Sequence, residues 1–263
     1  MTPAPAHQRA AHAWLARAGI AWTRERYARP QAGGETGAYR LRPAGTPRAR
    51  IVAAHGAGND ALFPLLTLSA ALVARGFEVF AWDGDGQGRD TTTRFHPRAV
   101  RSSVAAAVAA SAAGEPALPT HLLGHSLGGS LVAGALADGS VADVRSASLL
   151  AAPTSIRVGL RVSLAEVGGF FHPATLGEMR RFGRWGVVPA AGRLKRAAFP
   201  VRLMEARPGA FGYVDAIMEL LRELDLERAA EGITVPVQLV YGGRDALVPA
   251  AQGERLAESM PAG

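Results

Sequence analysis

The residues best suited to chemistry lie in the run Gly-His-Ser-Leu-Gly-Gly at residues 124–129. An apolar pair at 122–123 precedes this run, and small residues at 130–137 continue it as a helix pattern. A serine at a sharp turn from strand to helix presents its hydroxyl for nucleophilic attack, and the flanking glycines let strand and helix approach closely. The spacing therefore predicts that Ser126 is a nucleophile.

The elements that must position this serine alternate between strand and helix. Residues 5–18 read as an amphipathic helix, and 20–29 and 36–42 as a hairpin. Five strands are predicted at 50–54, 77–82, 121–123, 147–151 and 235–241, and five helices at 61–75, 97–113, 130–137, 214–230 and 250–260. This alternation predicts an α/β fold, a mostly parallel twisted sheet with helices on both faces. Its site belongs at the carboxyl ends of the strands.

Length and composition fit one domain over residues 1–263 that can bury a core. The chain has no cysteine, which excludes disulfides, thiolate catalysis and cysteine-bound metals. Neither a secretory signal nor an apolar run of membrane-spanning length is recognisable, so the expected location is the cytoplasm.

The formal net charge of +7 comes from one segment, residues 154–210, with ten arginines or lysines and three acidic residues. Such a segment either forms a solvated basic face or attracts anionic substrates and surfaces weakly. No nucleic-acid-binding signature is present, so nucleic acid is not an expected partner.

Four sequence blocks together resemble the α/β-hydrolase superfamily, in particular its branch of monoacylglycerol lipases, lysophospholipases and serine aminopeptidases. The blocks are His-Gly-Ala-Gly at 55–58, Asp-Gly-Asp-Gly-Gln-Gly-Arg-Asp at 83–90, the serine run at 124–129, and Gly-Gly-Arg-Asp at 242–245 followed by Val248-Pro249. The resemblance extends from about residue 20 to the end. It implies an α/β-hydrolase fold with a lid inserted at 154–210.

The resemblance also implies roles for individual residues. The backbone N–H groups of Ala57 and Leu127 would form the oxyanion hole, and Asp245 would be the acid of a catalytic triad. The other interpretation of Asp245 is a turn aspartate that caps the last helix. In the block at 83–90, Gln87 and Asp90 replace a histidine and a serine of the usual pattern, which predicts altered loop bonding.

The triad histidine is missing from its expected place, because no histidine follows Asp245. The sequence thus reads as if it stopped before one more strand, a histidine loop and a closing helix. Two alternatives are a non-catalytic binding protein with the same fold, and a replacement histidine, for which His172 in the inserted segment is the candidate. Without a general base the serine hydroxyl is a poor nucleophile.

The function expected from these residues is that of a serine hydrolase acting on carboxylic esters of small to medium apolar acyl groups. Thioester or amide cleavage would use the same groups. Apolar residues of the inserted segment, such as Phe170-Phe171 and Trp185, would line an acyl pocket or pack the lid. No cofactor is implied, and two nearby carboxylates, Asp83 and Asp85, are too few for a metal site.

Overall fold

A computed structural model describes residues 6–62, 64–88, 91–156 and 209–261. Its strands are β1 (Ala21–Arg29), β2 (Gly34–Arg42), β3 (Ala49–Ala54), β4 (Phe77–Trp82), β5 (Thr120–His125), β6 (Val144–Leu150) and β7 (Val237–Val240). They form a seven-stranded sheet in the order β1-β2-β4-β3-β5-β6-β7. The pairs β1–β2 and β2–β4 are antiparallel, and β4, β3, β5, β6 and β7 run parallel. The predicted α/β class is confirmed.

The helices described precede, connect and follow the strands of the sheet. They are α1 (Ala6–Arg17), α2 (Leu66–Val73), α3 (Pro97–Val100), α4 (Ser103–Ala112), α5 (Leu127–Ala137), α6 (Gly209–Leu224), α7 (Leu226–Ala229) and α8 (Ala250–Glu258). Of the helices described, none is long and apolar enough to cross a bilayer. The predicted lid at 154–210 lies largely outside the described residues, and His172 lies outside them entirely.

Helix boundaries differ from the sequence patterns at three places. The pattern at 61–75 forms a helix only from Leu66, because the preceding residues belong to a loop held by side chains. The pattern at 97–113 divides into α3 and α4. The pattern at 214–230 starts earlier, at Gly209, and is interrupted at Asp225, whose φ of 41° lies in the left-handed region.

Two apolar clusters cover the two faces of the sheet. Alternate residues of β3 point to opposite faces of the sheet. Val52 and Ala54 belong to one cluster, and Ile51 and Ala53 belong to the other. The first cluster includes residues of α4 to α8, and the second includes α1 and α2. All six residues of β3 are buried, which explains the continuous apolar run at residues 51–54; Arg50 is the one charged residue of the strand.

Buried ion pairs join the strands away from the nucleophile. At the amino end of β4, Glu78 Oε1 accepts hydrogen bonds from Arg50 Nε (2.6 Å) and Arg40 Nη1 (2.9 Å). All three side chains are at most 2% exposed. Burial opposes the charge of Glu78, but the hydrogen bond from Arg50 and the positive charge of Arg40 outweigh it, so its pKa is below the usual range.

Candidate active site

Ser126 occupies a strained turn between β5 and α5. Its φ of 52° and ψ of −125° are unusual for a residue with a side chain, and such conformations cost on the order of 1–3 kcal/mol. The turn is held because Ser126 N donates to Leu150 O (2.8 Å), while Gly129 N donates to Ser126 O (2.8 Å). The strand–turn–helix geometry predicted from the serine run is therefore present.

The glycines of the run permit close backbone contacts. A β-carbon on Gly128 would lie 2.5 Å from both Ala54 O and His55 O, at the end of β3. A β-carbon on Gly124 would lie 2.5 Å from the α-carbon of Gly129. The first turn of α5 therefore packs directly against the backbone that leads into the His-Gly-Ala-Gly block.

The loop of residues 55–60, called here the 55–60 loop, lies beside Ser126. A β-carbon on Gly56 would lie 2.9 Å from Ser126 Cβ, 3.0 Å from His125 Nδ1 and 3.1 Å from Asn59 Nδ2. Asn59 N donates to Gly56 O (3.3 Å), which closes a turn with Ala57 at its second position. The structure thus brings the block that contains Ala57 close to Ser126.

Side chains of the loop after β4 hold the 55–60 loop in place. His55 Nε2 accepts from Gly84 N (2.8 Å), so we assign the ring proton to Nδ1, which then donates to Gly56 O (2.7 Å). Gln87 Oε1 accepts from Gly58 N. The change of loop bonding expected at Gln87 takes this form, although its partner could not be read from the sequence.

The two aspartates after β4 have structural contacts. Asp83 Oδ1 accepts from Ala61 N (2.8 Å). Both oxygens of Asp85 accept from the guanidinium of Arg29, at the end of β1, and each side chain of this pair is 1% exposed. Burial raises the pKa of Asp85, and the contact with Arg29 opposes that rise. Among the described residues, no group of three or more potential ligands is placed to hold a metal.

Asp245 follows β7 at the same edge of the sheet as Ser126. Its Oδ1 accepts from Leu247 N (2.9 Å) and Val248 N (2.8 Å). These bonds form a local turn ahead of α8, whose N-cap is Pro249. The carboxylate is thus fixed by its own loop, as the turn interpretation expected, without being the cap of the helix.

Side chains from α5 and α8 fix the chain after β6. Ser130 Oγ donates to Pro153 O (2.6 Å). Gln252 Oε1 accepts from Thr154 N (2.8 Å), and Gln252 Nε2 donates to Ser155 O (3.0 Å). These contacts, which the sequence did not indicate, fix the chain at residues 153–155, just after β6.

Two further histidines have partners away from Asp245. His121 shares a hydrogen bond with Ser146 Oγ (2.8 Å), and burial lowers its pKa. His12 Nε2 shares a hydrogen bond with the Tyr39 hydroxyl (3.0 Å). Neither histidine is a base for Ser126 in this arrangement.

Comparisons with known proteins agree with this geometry. The family described as serine aminopeptidase, S33, matches residues 45–182. A pimeloyl-[acyl-carrier protein] methyl ester esterase from Aromatoleum aromaticum is 42% identical over 59 residues, which is 22% of this chain and only 22% of that protein.

Solved structures share the fold at low sequence identity. A monoacylglycerol lipase from Paleococcus ferrophilus is 18% identical with a TM-score of 0.58, and the match covers 92% of this chain and 85% of the lipase. A soluble variant of monoglyceride lipase from Saccharomyces cerevisiae, in complex with a substrate analog, is 16% identical with a TM-score of 0.61. The match covers 92% of this chain and 82% of that lipase. A carboxyl esterase from Bacillus coagulans, in complex with glycerol, is 15% identical with a TM-score of 0.60. The match covers 91% of this chain and 87% of that esterase.

The family match covers more than half of the 263 residues. It includes both the 55–60 loop and the serine turn. Together with the sheet order and the turn at Ser126, it identifies the chain as a hydrolase of the α/β-hydrolase superfamily that belongs to the serine aminopeptidase S33 family.

Proposed function

We propose that this chain is a serine hydrolase that cleaves carboxylic esters through an acyl-enzyme on Ser126. The observation that carries the proposal is the strained turn at Ser126, with φ of 52°, against which the 55–60 loop packs. A non-glycine residue is kept in such a conformation when the surrounding structure fixes it, and this happens most often at functional sites.

The oxyanion of the tetrahedral intermediate would be bound by two backbone amides. Leu127 is the first residue of α5, and amides of a first helical turn lack intrahelical acceptors and carry partial positive charge. Ala57 is the second proposed donor, in the turn held by Gln87 and His55. Loss of one such donor costs about 2.7–4 kcal/mol of transition-state stabilisation.

In the proposed reaction Ser126 Oγ attacks the ester carbonyl carbon and its proton passes to an imidazole base. The base returns that proton to the leaving alcohol as the acyl-enzyme forms, and water then releases the acid. Asp245 would orient the base. Since β6 separates β5 from β7, their backbones end about 10 Å apart, a gap that the serine, an imidazole and the carboxylate together can span.

A histidine is the proposed base. The resemblance implies a position after Asp245, where this sequence has no histidine. Within the sequence the proposed substitute is His172. The turn hydrogen bonds from Leu247 N and Val248 N go to Oδ1 of Asp245. The other carboxylate oxygen, Oδ2, is the proposed acceptor for the imidazole N–H.

Esters are the proposed substrates because the relatives with this fold are named as lipases and esterases, and because the partial relative is named as a methyl ester esterase. The same groups would also serve a thioesterase or an amidase. A preference for small to medium apolar acyl groups is part of the proposal.

A fluorophosphonate probe tests the proposal directly. We expect covalent labelling of the purified chain that is lost in Ser126→Ala, together with hydrolysis of p-nitrophenyl butyrate. His172→Ala should abolish both if His172 is the base, whereas Asp245→Asn should reduce both in any case. A folded protein that neither labels nor hydrolyses esters would refute the proposal and favour a catalytically silent binding protein.

A further inference from the structure

The N-terminal helix reaches the 55–60 loop through a buried side chain. Gln8 of α1 is 1% exposed, and its Nε2 donates to Asp60 Oδ2 (3.1 Å). Asp60 is also 1% exposed, and its Oδ1 accepts from Leu62 N (3.0 Å). The contact joins residues 52 positions apart, so it links the N-terminal helix to a loop distant in the sequence.

The burial of Gln8 requires a specific reason. Buried amide groups are normally hydrogen-bonded, because an unpaired polar atom in the interior costs free energy. Among the described residues, Gln8 Oε1 has no hydrogen-bond partner. The bond to Asp60 is therefore the contact that accounts for a glutamine, rather than an apolar residue, at this position.

Apolar packing keeps α1 over the same region. Ala11 and Leu15 of α1 belong to the cluster that also contains Ala61 and Leu62, the two residues after Asp60. Leu15 is fully buried. Helix α1 lies outside residues 45–182, to which the family match extends, so this contact is a feature of the chain beyond the matched region.

The contact with Gln8 adds to the bonds that fix the 55–60 loop. His55 and Gly58 are bonded to the loop after β4, and just past the loop Ala61 N donates to Asp83 Oδ1. Asp60 immediately follows the turn that Asn59 N and Gly56 O close around Ala57. The bond between Gln8 and Asp60 therefore attaches the end of this turn to α1.

We propose that Gln8 is a positioning residue, through which α1 holds the 55–60 loop in the geometry that directs the Ala57 amide at the oxyanion. This inference rests on the proposed function for its catalytic consequence. Its structural part, the dependence of the loop on Gln8, stands separately.

The test replaces Gln8 by methionine, which keeps the side-chain length and removes the hydrogen bond. The matched control is Ala13→Gln, at an exposed position of the same helix, which keeps helix propensity and alters neither the contact to Asp60 nor the buried face of α1. Gln8→Met should slow fluorophosphonate labelling of Ser126 and lower kcat on the order of tenfold to a hundredfold. Gln8→Met should leave KM nearly unchanged and speed amide hydrogen exchange in residues 55–60. The control should change neither the labelling rate nor the exchange rate.

Asp60→Asn provides the conservative variant. Its oxygen can still accept from Leu62 N, and its Nδ2 can donate to Oε1 of Gln8 once the Gln8 amide is flipped, so it should stay within a few-fold of the wild-type rates. If Gln8→Met does not fold, exchange in the wild-type protein decides, since residues 55–60 and α1 should then open with the same free energy.

The inference is overturned if Gln8→Met and Ala13→Gln have the same labelling rate and the same amide hydrogen exchange in residues 55–60. It is equally overturned if the wild-type loop opens independently of α1. Absence of labelling in the wild-type protein would instead refute the proposed function, and hydrogen exchange would still decide whether α1 holds the loop.

Discussion

Gly128→Ala should disturb the proposed active site without altering a proposed reactive group. The added β-carbon would lie 2.5 Å from Ala54 O and from His55 O. Carbon–oxygen contacts normally begin near 3.3 Å, so strand β3 and helix α5 must separate by about 0.8 Å. Both colliding atoms belong to backbone, so no side-chain rotation relieves the contact.

Two opposing contributions set the change in the free energy of unfolding. Overpacking of this kind costs about 1–3 kcal/mol, whereas alanine favours a helix over glycine by about 1 kcal/mol. The net loss of unfolding free energy is then up to about 2 kcal/mol, which lowers Tm by up to about 8 °C for a chain of this size. A shift near 1 Å at His55, two residues before Ala57, should slow the reaction of Ser126 about a hundredfold.

Thermal unfolding and the second-order rate of fluorophosphonate labelling measure the two effects. The control is Gly134→Ala in the same helix, where the new β-carbon meets Leu224 Cδ2 at 2.7 Å, the end of a flexible side chain. The control should label at the wild-type rate. If Gly128→Ala labels as fast as Gly134→Ala, the close approach of α5 to the 55–60 loop has no functional importance and the reasoning fails.

Three other substitutions test the buried polar contacts. Arg29→Met should cost about 3–5 kcal/mol of unfolding free energy at neutral pH. Burial raises the pKa of Asp85, so urea unfolding should show a smaller loss at acid pH, where this carboxylate is neutral, and an equal loss at both pH values would contradict the assignment. Glu78→Gln should also destabilise the protein near pH 7 by about 3–5 kcal/mol. Because the pKa of Glu78 is lowered in the folded protein, its contribution is lost as pH falls below the ordinary glutamate range, so the variant should lose less stability on acidification than the wild type. Gln87→Leu should leave Gly58 N without its acceptor, cost about 1–3 kcal/mol and slow labelling, whereas Gln87→His, which restores a ring acceptor, should retain the wild-type rate.

Much of the fold could be predicted from sequence because its signals are local. The strand at 77–82 coincides with β4, and the hairpin and the turn at Ser126 are present as predicted. These elements can be predicted because their apolar runs are bounded by glycines, and both features are local signals of backbone conformation. The helix boundaries were less predictable, because Ala61 and Leu62 lie in a stretch with helical patterning but are held by Asp83 and Asp60.

Sequence by itself determined the identity of the serine turn, the Ala57 block and the Asp245 turn, because each depends on glycines and side chains a few residues apart. Tertiary structure alone decided which distant groups meet. Gln87 binds Gly58 N, Arg29 neutralises Asp85, and Gln8 reaches Asp60. A hydrogen bond between residues tens of positions apart leaves no local pattern, since it depends on how strands and helices pack rather than on spacing along the chain.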